Sequence, residues 1–261
     1  MKVVIQTDLE GAWGVKTMAS VFRGDADFEE AYACLADDIN AAVSGAFAGG
    51  AEEIVVLDGH GAQGLNADLI DKRAPCLPQT ALDEPFDAMF HLGVHAMAGT
   101  QNAFLDHTQS SVSWFEYRIN GRPGGEIAQC GLDAAYWDAP VILLTGDEAA
   151  VAEAHNFLGE LECVAVKRGL GRNQCVMYEK DESRERIRAA AERAVKSFLS
   201  GSCAVKPYKP ALPMEILVTY TRCDYADQAV INNPALERIG PRTVRKIAAN
   251  YRDWHPGPQR K

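Results

Sequence analysis

The apolar run "VVIQTDLEGAWGV" stops at two acids, Asp8 and Glu10. On an extended backbone residues two apart point to the same face, so both carboxylates leave the strand end together. "VLDGHG" repeats that spacing with Asp58 and His60, and His95 closes a third apolar run, "AMFHLGVHA". Glu126 follows the glycine pair of "RPGGE", where a helical pattern opens. Any one of these side chains alone would be read as a cap or a turn residue. Their recurrence at separate strand and helix ends points to a shared site. Carboxylate oxygens and imidazole nitrogens without thiolate suit Zn2+, with Mn2+ or Co2+ as substitutes. Asp8, Glu10, His60, His95 and Glu126 exceed what one zinc with an open position takes. A carboxylate bridging two ions roughly 3.5–4 Å apart would use the surplus, and Asp8 is the natural bridge.

Such side chains need a frame that brings strand ends together. Short Val- and Ile-rich runs at 3–8, 53–59, 88–96, 141–147 and 163–169 alternate with helical patterns. That alternation predicts an α/β fold, a mostly parallel sheet with helices on both faces. Ligands in such sheets bind outside the carboxyl ends of the strands. The segment from Asp27 is amphipathic and ends at Gly49 and Gly50. Two further helices are expected in "EIAQCGLDAAYWDAP" and "DEAAVAEAHNFLG", and another at 181–199, with acids in its first turn. "SSVSWFEYRINGRPGGE" carries Asn120-Gly121, a hairpin turn signal, and predicts a β-hairpin projecting from the sheet. A Pro-rich linker at 206–213 divides the chain into an α/β domain (1–205) and a smaller C-terminal α+β portion (206–261) packed on it. "MEILVTYTR" is a strand of that portion, and the tail "HPGPQRK" is expected to fray.

Composition narrows the partners. The 261 residues carry a net charge of −10, which repels nucleic-acid phosphates and anionic lipid. No apolar run reaches the length of a membrane span and no signal peptide is evident. The seven cysteines form no CxxC pair, which fits reduced thiols in a cytoplasm. Neither nucleic acid nor membrane is therefore an expected partner. Asp58 is expected to orient an imidazole of the site. His91 reads as a satisfied core or surface histidine, and His155 and His255 as solvated. Asp147 in "GDEAA" reads as a helix cap. "GLGRN" lacks a phosphate-loop lysine, and no G-x-S-x-G elbow occurs.

The succession "TDLEG", "DGHG", "GVHAMAGT", "DHTQSS…INGRPGGE" and "APVILLTGDEAA" closely resembles the DppA-type zinc-dependent D-aminopeptidases, from the first strand to about residue 180. The likeness continues more loosely into "NPALERIGPRTVRKIAA". The resemblance implies a binuclear zinc site with Asp8 bridging and Glu10, His60, His95 and Glu126 completing the coordination. It implies that His107, in the "HT" element, is the catalytic residue, described for the family as a nucleophile; by its chemistry a neutral imidazole there could equally act as general base or oxyanion donor. It also implies removal of N-terminal D-amino acids such as D-Ala from short peptides, by a closed homo-oligomer with a decamer as the family's example. The alternative on the same scaffold is a binuclear-metal amidohydrolase acting on another small amide. A shell-forming protein without catalysis sits poorly with an intact His107. Asp106, where a small polar residue is familiar, would raise the pKa of His107 if it reached it. Trp114 and Phe115 of the hairpin are candidates for a pocket wall or for packing.

Overall fold

The computed structural model describes residues 1–61 and 64–257. In chain order, β1 (Lys2–Thr7) leads to α1 (Phe28–Gly49), followed by β2 (Glu53–Asp58), β3 (Cys76–Leu77) and β4 (Ala88–Val94). Next come β5 (Trp114–Ile119), β6 (Arg122–Pro123), α2 (Glu126–Tyr136), β7 (Val141–Asp147) and α3 (Glu148–Leu158). β8 (Glu162–Gly171), β9 (Gln174–Met177) and α4 (Lys180–Leu199) follow. The chain then forms β10 (Met214–Tyr220), α5 (Cys223–Asn232), β11 (Glu237–Arg238) and β12 (Thr243–Ala248).

A seven-stranded sheet in the order β3-β2-β1-β4-β7-β8-β9 forms the frame. Every pairing in it is parallel except β8 with β9. Its strands are apolar on both faces because helices cover both. Val3 and Ile5 face the core under α1 and α4, while Val4 between them faces the core shared with α2 and α3. Ile54 and Val56 against Val55 and Leu57 divide in the same way. α1 stops where Gly50 takes the left-handed conformation, φ 107°.

The hairpin at Asn120-Gly121 does not stand free. β5 pairs with β10, and a five-stranded antiparallel sheet runs β11-β12-β10-β5-β6. This second sheet draws strands from both sides of the Pro-rich linker. Burial explains the docking: Tyr117 and Ile119 of β5 enter one core with Ile216 and Val218 of β10 and Ile127 of α2. Trp114 packs there too, 9% exposed and stacked on Tyr117, whereas Phe115 is 60% exposed. The helix α5 had no clear signal in the sequence. Its tail-side neighbours are anchored: Asn233 Nδ2 donates to the carbonyls of Pro256 and Gly257, and Lys246 Nζ to that of His255. The tail is thus held through Gly257, and the rest of the expected frayed end lies outside the described residues. Among the described residues, no helix is long and apolar enough to cross a membrane.

Candidate metal centre

The carboxyl ends of β1, β2 and β4 lie side by side, and the loops leaving them converge. Gly11 makes this possible: its N–H donates to Gly93 O at 2.7 Å, and a Cβ there would lie 2.0 Å from Val94 O. Gly93 answers with φ +72° and no room for a Cβ, which would sit 2.4 Å from Asp8 O. The two glycines lock the Asp8–Glu10 loop against the strand end that carries His95.

Two groups of ligand-type side chains result. Asp8, Glu10 and His60 have ligand atoms within 4.8 Å of one another, and so do His95, His107 and Glu126. The groups adjoin, since His95 Nε2 lies 3.2 Å from Asp8 Oδ2 and 3.4 Å from Glu126 Oε1. His60 Nε2 lies 3.2 Å from Glu10 Oε1. His107 Nε2 faces both acids, 3.9 Å from Glu10 Oε1 and 3.8 Å from Glu126 Oε1, with its ring stacked on His95 at 3.8 Å. Asp8, Glu10, His60, His95, His107 and Glu126 thus lie next to one another at these strand ends.

Each imidazole is held by its other nitrogen. His95 Nδ1 donates to Ala96 O and His107 Nδ1 to Leu105 O, both at 2.9 Å, which leaves their Nε2 atoms to the site. His60 Nδ1 faces the Tyr32 hydroxyl at 3.2 Å. Asp58, expected in that role, instead accepts the N–H groups of Gly64 and Leu65 with Oδ2. A carboxylate beside two free N–H groups of its own loop is captured locally before it can reach the ring.

The loop with His107 is tightly specified. Leu105 and Gln109 flank it with φ of 51° and 60°, a left-handed backbone that non-glycine residues rarely adopt. Gln109 N donates to Glu126 Oε1, His107 N to Ala96 O, and Phe104 N to Asp147 Oδ2. Asp147 also caps α3 through Ala150 N, as expected. Asp106 does not reach His107. It accepts Gly99 N at 2.8 Å and Arg172 Nη1 at 3.2 Å, turned toward the cation.

Electrostatics follow from burial and crowding. Desolvation and the Glu10 charge push Asp8 up to about 7. Desolvation also opposes ionisation of Glu10 and Glu126, yet imidazoles outweigh it: His60 holds Glu10 well below its ordinary range, and His95 brings Glu126 to about 2. Burial works against charge on His60 and His95, but Glu10 raises the first to about 9 and Glu126 with Asp8 raise the second well above its usual value. His107 goes the other way: burial and the neighbouring His95 charge lower it. Asp8 Oδ2, Glu10 Oε2 and His95 Nε2 are buried without a hydrogen-bond partner. Buried polar atoms seldom go unpaired. Acceptor atoms converging from acids and imidazoles in this way fit divalent cations.

Supporting residues escaped sequence reading. Lys167 is fully buried, and its ammonium donates to the carbonyls of Glu10 at 2.9 Å and Val15 at 2.7 Å. Buried Asp38 accepts Trp13 N at 3.0 Å from the same loop. Buried Glu153 accepts Met97 N at 2.7 Å, just beyond His95. A lysine inside the "CVAVKRG" strand is the one available signal. His91 lies in the core, one of the two places expected for it, but its Nδ1 has no hydrogen-bond partner. His155 is half-buried and donates to Gly159 O, and His255 is exposed.

An α/β frame with paired clusters of oxygen and nitrogen donors at its strand ends defines a metal-dependent hydrolase scaffold. The profile of peptidase family M55, described as D-aminopeptidase, matches residues 1–256, and the chain belongs to that family. A D-aminopeptidase of Bacillus subtilis (strain 168) is 29% identical over 182 residues, which span 66% of each chain. The fold is that of the "Zn-dependent D-aminopeptidase DppA from Bacillus subtilis, a self-compartmentalizing protease", with a TM-score of 0.87 at 23% identity. That superposition covers 97% of this chain and 93% of the other.

Proposed function

We propose that the chain is an aminopeptidase that removes N-terminal D-amino acids, such as D-Ala, from short peptides at a pair of zinc ions. In this reading Glu10 and His60 would hold one ion and His95 and Glu126 the other, with Asp8 as the carboxylate that would be shared between them. The observation that carries it is the pair of adjoining donor groups with Asp8 Oδ2, Glu10 Oε2 and His95 Nε2 buried and unpartnered. Membership of the D-aminopeptidase family supports the substrate class. The bound metal would supply Lewis acidity toward the scissile carbonyl and positive charge for the oxyanion.

The rest falls to the chain. His107 has its proton on Nδ1, fixed by Leu105 O, so Nε2 presents a lone pair to the space between Glu10 and Glu126. Burial lowers its pKa, which keeps that lone pair available at neutral pH. We assign His107 as the group that accepts the proton of the attacking water and returns it to the leaving amine. A ring with hydrogen only on the far nitrogen is unsuited to donate to an oxyanion. The stacked His95 ring and the Gln109 N–H on Glu126 keep the parts in register, which converts binding into orientation.

The family relationship supports assembly of the subunits into a closed homo-oligomer, and the cysteine usage is consistent with a cytoplasmic setting. The test is a panel of D-Ala-Gly, L-Ala-Gly and N-acetyl-D-Ala-Gly, with and without a chelator, alongside metal analysis. Cleavage confined to the free D-peptide, lost on chelation and restored by zinc, is expected with two equivalents bound. Cleavage of the acetylated peptide but not the free one would overturn the aminopeptidase assignment.

A further inference from the structure

The cleft that reaches Asp8, Glu10 and His107 is a cavity of about 500 Å3, and the exposed side chains of Phe22 and Val112 form part of its wall. Among its described lining residues, Arg172 is the one lysine or arginine. Arg172 stands at the tip of the β8–β9 hairpin, where Gly171 pairs with Gln174 across a two-residue turn. Both flanks of this tip are fastened to residues of the cleft wall. Leu105 N donates to Arg172 O at 2.7 Å, and Met18 N to Asn173 Oδ1 at 2.8 Å.

Part of the guanidinium is committed to the protein. Arg172 Nη1 donates to Asp106 O and, at 3.2 Å, to Asp106 Oδ1. Asp106 is 9% exposed and spends Oδ2 on Gly99 N, so it backs the cation from within the wall. Nε and Nη2 bond no described residue, and the arginine side chain is 44% exposed. A half-exposed ion pair adds little stability of its own. What it does here is hold the planar fork in place while the edge formed by Nε and Nη2 stays available. Two parallel N–H donors on one edge match the two oxygens of a carboxylate.

Resting on the aminopeptidase reading, we infer that Arg172 binds the C-terminal carboxylate of a dipeptide substrate and so favours dipeptides over longer or C-terminally blocked peptides. Its Nη1 bonds the carbonyl directly before His107, which sets the cation close to the ring assigned to the scissile bond. In a dipeptide the carboxylate follows the scissile amide by one residue, and an extended residue spans only about 3.3–3.6 Å. A longer peptide carries its carboxylate past this point and gains less from the cation. Asp8, Glu10 and Glu126, the acids of the same cleft, are taken up by metal in this reading, so the anionic end of the peptide meets the guanidinium. Asp106 is then a positioning residue, which holds the fork of Arg172 rather than tuning His107.

The experiment compares D-Ala-Gly with its C-terminal amide, and D-Ala-Gly-Gly with its amide, on zinc-loaded full-length protein. The free carboxylate is expected to raise kcat/KM at least about tenfold in the dipeptide pair, the scale of a charge-assisted hydrogen bond, and less in the tripeptide pair. Arg172→Met, checked for zinc content, should bring the dipeptide ratio close to one, and Arg172→Lys should restore part of it. A residue that only stiffened the hairpin would slow acid and amide alike and leave the ratio where it was. Equal rates for acid and amide in the unmodified protein overturn the anchor, while cleavage of both keeps the aminopeptidase reading intact. A ratio as large in the tripeptide pair overturns the preference for dipeptides. A dipeptide ratio unchanged in zinc-loaded Arg172→Met overturns the assignment to Arg172. The unmodified ratios decide whether or not either variant folds. No cleavage of any of the four peptides overturns the aminopeptidase reading itself, and the anchor with it.

Discussion

The two donor groups reach the same site by different routes. Asp8, Glu10 and His60 come from neighbouring parallel strands, β1 and β2, whose register sets Thr7 beside Asp58. Sheet pairing alone brings their loops together. His95, His107 and Glu126 come from the end of β4, a left-handed loop and the start of α2, with the hairpin of the second sheet in between. His107 is tied to the His95 strand end by its own loop, and Glu126 joins them where the chain returns from the hairpin that pairs with β10. One group is a product of local pairing, the other of tertiary closure.

Their supports differ accordingly. The Glu10 loop is fastened from beneath by buried charge, Lys167 on its carbonyls and Asp38 on the Trp13 N–H. The second group is fastened by a mesh of backbone contacts around His107 and by Glu153 on Met97 N. Disturbing the first should loosen metal before chemistry. Disturbing His107 should do the reverse.

The largest effect is expected where the groups join. Asp8→Ala should drop bound metal below two equivalents and reduce turnover by about 10³-fold or more, the scale of losing a principal electrostatic element. Two equivalents per chain by metal analysis would contradict a bridging Asp8. His107→Ala should keep its metal and lower kcat by roughly 10²–10⁴-fold, as for a general base. Rates equal to the unmodified enzyme would remove His107 from the chemistry.

Lys167→Met should weaken zinc affinity by about 10–100-fold, the usual size for a residue that positions a ligand. A competition titration with a chelator reads this directly, and unchanged affinity would mean the Glu10 loop holds itself. Asp38 gives the smallest and most diagnostic signal. Burial raises its carboxyl from 3.8 to about 6, against the opposing Trp13 N–H and Arg184. Between those values the native state binds more protons than the unfolded chain, so stability falls as pH rises through the window. Unfolding of the protein and of Asp38→Asn at pH 4 and 6.5 should show the unmodified protein losing on the order of 2 kcal/mol relative to the variant over that interval. A difference independent of pH would show that Asp38 is not strained by its burial.

The ligand-type residues were legible because strand ends in a parallel sheet have a fixed address, and acids or imidazoles there break an apolar pattern. Asp8, Glu10, His60 and His95 follow from that rule with little else. Glu126 had a helix start and a glycine pair to mark it. His107 had no pattern of its own and was reached only through resemblance, since a loop side chain has no periodicity to betray its direction. Asn120-Gly121 marks the hairpin but not its partner β10, because a turn signal specifies the two strands it joins and no strand farther along the chain.

What the sequence determined by itself is which chemical groups stand at the ends of which strands, since side-chain alternation and apolar runs are local properties. The tertiary structure alone decided which nitrogen of each imidazole faces the site, that Asp58 turns to its own loop and Asp106 to Arg172, and that Lys167 sits buried beneath Glu10. Those outcomes depend on competition among hydrogen-bond partners that are distant in the chain, and no spacing rule ranks such partners. Only packing, by excluding water and fixing distances, settles which of them wins.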